Sequence, residues 1–251
     1  MKQVREYYER EARILKNHQK LMYFGSPWNR YWHGTRLCQI LKIVKNIRFK
    51  NFLDAGCAEG YYVKLLTNCS DFPSFYGVGL DIAKDYVLKA KKKAPHSLLL
   101  LGDAQRLPFK DSCFDLVLCS EVLEHILNPE ASFKELVRVS KNYILVTVTG
   151  ENLFYHFAKK LGLIKTKDPF AEIGHGHIHE LRMSETIVPW ALRAGYKCVY
   201  KIVTCYFPIS FLQKHRIPAF YISIIKFADK LVSKLPVVRE FGAVQIALLQ
   251  R

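Results

Sequence analysis

The chain has 251 residues, of which half are apolar and 13% are aromatic, so it can bury a large core. Its net charge of +16 points to an anionic partner, such as nucleic acid, a membrane surface or an acidic substrate, or to a lysine-rich surface without a partner. No uninterrupted run of about 18 apolar residues occurs, which excludes an obvious membrane-spanning helix.

The cysteines indicate a reducing compartment. The chain has seven of them, without a C-x-x-C pair, and residues 1–20 are charged throughout and contain no apolar core typical of a signal peptide. We therefore expect a cytoplasmic protein whose thiols are mostly buried.

The N-terminal region is predicted to form a helical cap. Residues 4–17 are rich in helix formers, and residues 35–44 carry a second amphipathic helix. The aromatic stretch 23–34 between them contains glycine and proline, which predict a break. We assign residues 1–46 to this cap and residues 47–251 to the main domain.

The main domain begins with short apolar strands that alternate with helices. The strands are predicted at 52–55, 75–81, 97–101, 114–120 and 143–149, and the helices at 61–67, 84–94 and 129–139. This alternation predicts a parallel sheet covered by helices on both faces.

The pattern loosens after Gly150. The remaining elements are predicted as a helix at 152–161, a loop at 163–180, a helix from Ser184 as N-cap to Gly195, a strand at 196–207, a basic apolar helix at 217–235 and a last strand at 242–250.

The first strand leads into the sequence DAGCAEG, in which Asp54 ends the strand and Gly56 and Gly60 precede a helix. Glycines allow the backbone to approach a ligand, and the N-terminus of the helix offers free N–H groups. The spacing matches neither the dinucleotide fingerprint nor the P-loop, so a pyrophosphate ligand is disfavoured.

Carboxylates also end the next two strands. Asp81 closes the sequence GLD, where it can accept hydrogen bonds from both hydroxyls of a ribose. Asp103 lies in the sequence GDA and can accept a hydrogen bond from an adenine amino group. These acidic strand ends favour a ligand with little negative charge or with positive charge.

Residues 52–149 contain four motifs in the order DAGCAEG, GLD, GDA followed by LPF, and FDLVLCSEVLEHI. Together they resemble the motif set of class I S-adenosylmethionine-dependent methyltransferases, in particular the small-molecule branch with the ubiquinone and menaquinone biosynthesis enzymes. The resemblance implies an α/β fold with a doubly wound, mostly parallel seven-stranded sheet, an N-terminal helical cap and a C-terminal helical insertion. It also implies S-adenosyl-L-methionine as cofactor and S-adenosyl-L-homocysteine as product.

The resemblance further implies a set of cofactor-binding residues. The methionine part would be surrounded by Asp54, Gly56, Cys57 and Gly60, the ribose and adenine would meet Asp81, Ile82, Asp103 and Ala104, and the sulfonium and substrate would lie near Ser120 and Glu121. Three departures are visible: Ala58 replaces a commoner glycine, the usual Pro-Gly-Gly turn before the fifth strand is missing, and so is the Pro often found after that strand.

A general base is needed if the methyl acceptor is a hydroxyl, and histidine suits this task. His177 and His179, together with His175, lie on a loop that faces the substrate in this branch of the family, and His125 follows the fourth strand. A structural or substrate-shaping role stays open for each. No metal site is predicted, because this spacing in a loop is not a recognised ligand set. Arg36 could reach the cofactor carboxylate or form a surface ion pair.

The methyl acceptor is not identified, and three functions stay open. The aromatic and basic additions, residues 1–46 and about 150–240, favour a small apolar or lipid-like acceptor and allow peripheral contact with a membrane. The positive charge keeps tRNA or other RNA as an alternative acceptor, although no RNA-binding module or Asn/Asp-Pro-Pro-aromatic motif occurs. A cofactor-binding protein without activity is the third reading.

Overall fold

The computed structural model describes residues 2–68, 76–150, 160–162, 178–179, 181–207, 220–235, 238 and 240–251. The predicted loop at 163–180, with His175 and His177, falls almost entirely outside these residues, as does most of the predicted helix at 152–161.

A single mixed sheet of seven strands forms the centre of the described part of the chain. Its strands are β1 (Asn51–Ala55), β2 (Tyr76–Asp81), β3 (Leu98–Leu101), β4 (Phe114–Ser120), β5 (Ser140–Thr149), β6 (Lys197–Thr204) and β7 (Val244–Gln250). Their order is β3-β2-β1-β4-β5-β7-β6. Strands β1 to β5 are parallel, and β7 runs antiparallel to both of its neighbours. The predicted mostly parallel, seven-stranded sheet is therefore confirmed.

Helices cover both faces of this sheet. They are α1 (Lys2–Ile14), α2 (His18–Phe24), α3 (Pro27–Asn29), a π-helix (Arg30–Gly34), α4 (Thr35–Lys45), α5 (Tyr61–Asn68), α6 (Lys84–Lys93), a 3₁₀-helix (Leu123–His125), α7 (Pro129–Val139), a second π-helix (Met183–Ile187), α8 (Val188–Arg193) and α9 (Phe220–Val232).

The strands are apolar on both sides because both sides are packed. In β4, Leu116 and Leu118 face the core formed with α4, α5 and α6, whereas Val117 and Cys119 face the core formed with α7 and α8. The central strands are therefore continuous apolar runs, and polar residues appear only where the strands end.

Three local predictions were wrong. The first helix does not reach residue 17 but ends at Ile14, and the chain turns at Asn17, whose φ of +54° is left-handed, before α2 begins. The break predicted over residues 23–34 is confined to residues 25 and 26, because α3 and the first π-helix lead from Pro27 directly into α4. Ser184 is not an N-cap but lies inside the second π-helix, where its hydroxyl donates to Glu240.

Helix α1 packs across α6, beside the carboxyl ends of β1 and β2. The Glu9 carboxylate accepts hydrogen bonds from the backbone N–H groups of Lys84 and Asp85 at 2.8 and 3.4 Å and so caps α6. In return, Lys89 Nζ donates to the carbonyl oxygens of Ala12 and Leu15 at 2.5 and 2.6 Å. The cap is thereby held at the edge of the sheet where ligands of parallel α/β folds bind.

Candidate functional site

The turn after β1 has the left-handed backbone that its glycines predict. Gly56 and Gly60 have φ angles of +84° and +74°, and a Cβ at Gly60 would lie 2.8 Å from the Cβ of Ala90. A Cβ at Gly56 would overlap the side chain of Val122. Both glycines are therefore required by close approaches within the protein, whether or not a ligand is bound.

Two backbone groups fasten this turn to β2. The N–H groups of Gly56 and Cys57 both donate to the carbonyl oxygen of Leu80, at 2.7 and 3.0 Å. The Cys57 thiol is buried, and burial raises its pKa well above the ordinary value, so it stays neutral. Cys57 thus shapes the turn by packing rather than by reacting.

Asp81 stands at the end of β2 with its carboxylate held in place. One oxygen accepts from the N–H of Ala58 at 2.8 Å and the other from the N–H of Ala83 at 2.9 Å. Burial raises its pKa to about 6, and these N–H groups oppose that rise. Because a carboxylate has about four acceptor positions, both oxygens can accept further hydrogen bonds.

Asp54 ends the neighbouring strand in a poorer environment. Its side chain is 1% exposed, and among the described residues no donor meets its Oδ2 atom. Burial, and secondly the Asp81 charge, raise its pKa to about 8. A buried carboxyl group with a free oxygen is costly, which makes this atom a candidate ligand contact.

Ile82, Asp103 and Ala104 continue the same edge of the sheet. Asp103 Oδ1 accepts from the N–H of Gln105 at 2.9 Å and so closes the turn after β3. Ala104 is buried, and Ile82 is half-buried. The pairing of β2 with β3 places the ends of these two strands side by side. Ile82, Asp103 and Ala104 therefore lie at the same edge of the sheet as Asp81.

The end of β4 carries a buried ion pair. Ser120 Oγ lies 3.0 Å from Thr147 Oγ1, and Glu121 follows with a left-handed φ of +52°. The carboxylate of Glu121 pairs with the guanidinium of Arg36, which is 2% exposed and lies 6.0 Å from the centre of the Tyr23 ring. Arg36 therefore forms no surface ion pair but reaches the end of β4.

Glu124 lies fully buried beyond this pair. Its Oε1 accepts from the N–H of Thr149 at 2.5 Å, and Oε2 meets no donor in the described part of the chain. Burial raises its pKa to about 7. Its carbonyl oxygen accepts from the N–H groups of Ile178 and His179, at 2.8 and 3.1 Å, and so anchors that segment beside β4.

Two of the three predicted catalytic histidines meet at this place, and His177 lies outside the described residues. His179 Nε2 lies 3.2 Å from the carbonyl oxygen of Leu127. Because a carbonyl only accepts, Nε2 carries the proton and Nδ1 is the basic nitrogen of the neutral ring. The ring of His125 packs edge-on against Tyr8, with centres 5.6 Å apart.

Two cap residues that no motif had singled out complete the site. Gln19 is buried; its Nε2 donates to the Cys57 carbonyl at 3.3 Å, and its Oε1 accepts from the N–H of Tyr61 at 3.0 Å. The buried hydroxyl of Tyr8 has no partner in the part of the chain described; burial raises its pKa, and the nearby charges of Glu11, Glu124 and Asp81 add to the rise. In the sequence, the buried face of α1 is indicated only by the i, i+4 spacing of Tyr8 and Ala12, which lie in the same apolar cluster.

The arrangement suits a ligand with hydrogen-bond donors and positive charge. Several buried polar atoms at these strand ends lack a hydrogen-bond partner among the described residues: the acceptors Asp54 Oδ2, Glu121 Oε1 and Glu124 Oε2, the Tyr8 hydroxyl, and the donor Arg36 Nε. Within the described ranges no group of three or more His, Cys, Asp or Glu side chains could hold a metal ion. No helix in those ranges is long and apolar enough to cross a membrane.

Comparison with known proteins identifies a methyltransferase domain in the chain. Residues 53–143 match the family model of a methyltransferase domain. An uncharacterized protein of Methanocaldococcus jannaschii is 32% identical over 158 residues, which cover 61% of this chain and 64% of that protein. The malonyl-acyl-carrier-protein O-methyltransferase of Legionella pneumophila is 30% identical over 126 residues, 48% of this chain and 43% of the relative. The matched segments span about half the length of the curated relatives.

Solved structures extend the likeness to the fold of the whole chain. Magnesium protoporphyrin IX methyltransferase from Synechocystis, solved with bound SAH, superposes with a TM-score of 0.60 over 99% of this chain and 98% of its own. Its identity of 17% shows a shared fold alone. Residues 53–143 thus match a methyltransferase domain, and the chain shares its fold with S-adenosylmethionine-dependent methyltransferases.

Proposed function

We propose that the protein is an enzyme that transfers a methyl group from S-adenosyl-L-methionine to a small apolar or lipid-like acceptor. The observation that carries this proposal is the fixed carboxylate of Asp81, which two backbone N–H groups orient at the end of β2. We also propose the division of the chain into a cap, residues 1–46, and a methyltransferase domain, residues 47–251. The alternatives are RNA methylation, which the net charge of +16 favours, and cofactor binding without activity.

The cofactor residues follow from the edge of the sheet. Asp81 would accept the ribose hydroxyls, and Ile82, Asp103 and Ala104 would line the adenine side. The turn from Asp54 through Gly56 and Cys57 to Gly60 would surround the methionine part. The unpaired Oδ2 of Asp54 supports this assignment, because an amino group of the ligand would supply the donor that this atom lacks.

Arg36 is the residue that would bind the carboxylate of S-adenosyl-L-methionine. In the structure its guanidinium pairs with Glu121, and its Nε has no hydrogen bond within the described residues. A guanidinium fork can hold a second carboxylate, and the Glu121 side chain is then free to face the acceptor. Arg36 and Glu121, with Ser120 nearby, would thereby link cofactor binding to the substrate side of β4.

Methyl transfer from a sulfonium needs little covalent catalysis by the protein. The bound sulfonium supplies an activated methyl group for an in-line displacement. The chain's own residues orient the two reactants and exclude water, which in well-oriented cases lowers a barrier by about 7–11 kcal/mol. If the acceptor is a hydroxyl, Nδ1 of His179 is the proposed base, and Glu124 positions His179 through two backbone hydrogen bonds. His125, packed on Tyr8, would brace the same corner.

The additions to the shared fold support an apolar acceptor. Helix α9 carries several exposed apolar side chains, and two aromatic rings of the cap, Tyr23 and Phe24, pack against Tyr61 and Tyr62 of α5. We expect a cytoplasmic protein that meets its acceptor at a membrane or in an apolar pocket. The acidic interior of the site disfavours phosphate-rich acceptors at that point.

Asp81→Asn tests the binding assignment. The variant keeps the shape of the side chain but loses the charge and turns an amide NH₂ toward one of the backbone N–H groups. Two charge-assisted hydrogen bonds are lost, so calorimetry should show affinity for S-adenosyl-L-methionine about 10²–10⁴-fold weaker. Asp111→Asn, at a carboxylate 76% exposed, is the matched control and should bind normally. Equal binding by both variants would refute the ribose assignment.

Incubation of the purified protein with cell extract and methyl-labelled S-adenosyl-L-methionine tests which class of molecule is the acceptor. The extract is then separated into lipid, RNA and protein fractions. Label in the lipid or small apolar fraction supports the proposal, and label in RNA favours the alternative. Cofactor binding without label in any fraction would favour a binding protein without activity.

A further inference from the structure

We infer that α9 is a docking surface for an anionic membrane, which it contacts with a face that we call the outer face. The outer face consists of exposed apolar side chains, namely Tyr221, Ile224, Phe227, Leu231 and Leu235. The inference extends the proposed function and rests on it for its purpose, since an apolar acceptor would be met in a membrane. The surface itself is defined by α9 and the turn that follows it.

The outer face is a continuous stripe. At 3.6 residues per turn, Tyr221, Ile224, Phe227 and Leu231 fall within an arc of about 120°, and Leu235 follows in the turn after the helix. Each of them is between 45% and 64% exposed. Single exposed apolar residues are ordinary on protein surfaces, but a contiguous stripe of large ones marks an interaction site.

The opposite side of α9 is fastened to the body of the protein. The buried carboxylate of Asp229 accepts from the Tyr31 hydroxyl at 2.8 Å and from the N–H groups of Cys205 and Tyr206 at 3.2 and 3.0 Å. Ile222 is buried on the same side. These contacts fix the rotation of α9, so the helix presents the outer face instead of turning it inward.

Three lysines adjoin the stripe, and they decide what kind of partner it suits. Lys226, Lys230 and Lys234 are exposed on the side of the segment next to Phe227, with Lys226 farthest from the outer face and nearest to Asp229. The only acidic residue of segment 220–235 is Asp229, whose charge is used inside. An apolar stripe flanked by cations alone complements a surface with apolar depth and anionic headgroups, which is the composition of interfacial helices.

The length of α9 indicates that it lies in the plane of the membrane. Its 13 residues extend about 20 Å at 1.5 Å per residue, short of the roughly 30 Å hydrocarbon core. Burial of the outer face would place Tyr31, and with it the cap, close to the lipid surface, because Asp229 joins the two.

Vesicle co-sedimentation of the full chain tests the electrostatic part. Binding to vesicles with about one third phosphatidylglycerol is compared with binding to pure phosphatidylcholine. Each lysine near an anionic surface contributes about fivefold, so K226Q/K230Q/K234Q should weaken binding on the order of 100-fold. The control K91Q/K92Q/K110Q removes the same charge from exposed lysines elsewhere and should change binding severalfold at most.

The apolar part has its own pair of variants. F227S/L231S should abolish the fraction of binding that survives 0.5 M salt, whereas L88S/L192S, at exposed leucines away from α9, should leave it intact. Equal losses in test and control variants would overturn the inference, as would wild-type protein that ignores anionic vesicles. Lysine-dependent retention on RNA without vesicle binding would also overturn it.

Cofactor affinity measured on the same proteins separates this inference from the proposed function. Wild-type protein that binds vesicles but not S-adenosyl-L-methionine would refute the proposed function and leave the docking surface standing. Normal cofactor binding without vesicle binding would refute the docking surface alone. Unchanged circular dichroism in the variants excludes loss of fold as the cause.

Discussion

Asp54→Asn should make the stability of the ligand-free protein depend less on pH. The Asp54 carboxyl is buried, its Oδ2 meets no donor among the described residues, and its pKa rises from 3.8 to about 8, mainly through burial. The folded chain therefore retains a proton that the unfolded chain releases. The stability from this group is fully present below about pH 4 and is lost as pH rises toward 8.

The size of the effect follows from proton linkage. Between about pH 4 and 8 the free energy of unfolding should fall by about 1.4 kcal/mol per pH unit more in wild type than in the variant. Over the whole window this amounts to on the order of 4–6 kcal/mol. Asparagine cannot ionise, but its amide still needs partners, which costs about 1–3 kcal/mol at every pH. The variant should therefore be less stable than wild type at pH 4 and more stable at pH 8.

Urea denaturation at a series of pH values measures this difference directly. Asp111→Asn, in which the substituted carboxylate is exposed, is the control and should give a nearly constant difference from wild type. A constant difference for Asp54→Asn as well would mean that the buried carboxyl is ionised and its charge is balanced, which would refute the reasoning. Saturating S-adenosyl-L-methionine should flatten the wild-type pH dependence, because a cationic ligand favours the ionised carboxylate.

Two further substitutions test the turn and the cap. Gly56→Ala should lower stability by about 1–3 kcal/mol in thermal denaturation, because φ is +84° and the new Cβ overlaps Val122; Val122→Ala should restore part of the loss, and no loss would contradict the close approach. Gln19→Leu leaves two backbone groups unpaired at a cost of about 1–3 kcal/mol and should speed proteolysis of residues 1–24, whereas the exposed neighbour Lys20→Leu should not. Equal proteolysis rates would refute the role of Gln19.

The central sheet could be predicted from the sequence because local signals coincide there. The strands are apolar runs that end in a carboxylate or a glycine, so the predicted bounds of β1, β2 and β4 agree with the observed ones to within one residue. The same strand ends were enough to predict that Asp54 and Asp81 lie at the ligand edge. Local chemistry and tertiary packing agree at these positions.

The cap could not be predicted in the same way, because its contacts join residues distant in sequence. Gln19 bonds to Cys57 and Tyr61, 38 and 42 positions away, and nothing near residue 19 signals this. The sequence indicated an apolar and basic helix near residues 217–235 but not which side is buried. Asp229 decides that, through its bond to Tyr31, 198 positions distant.

The distribution of charge connects the two proposals. The chain is strongly basic, yet the polar groups buried at the strand ends include three carboxyl groups, those of Asp54, Asp81 and Glu124, whose pKa values all rise through burial. A cation is favoured in such a crevice because it stabilises the ionised carboxylates, and a phosphate is not, while the lysines beside α9 attract anions at the surface. An anionic macromolecule that binds outside would therefore be kept from entering the crevice. A membrane fits this division better than RNA, because lipid headgroups need only touch the outside while an uncharged, apolar acceptor passes into the site.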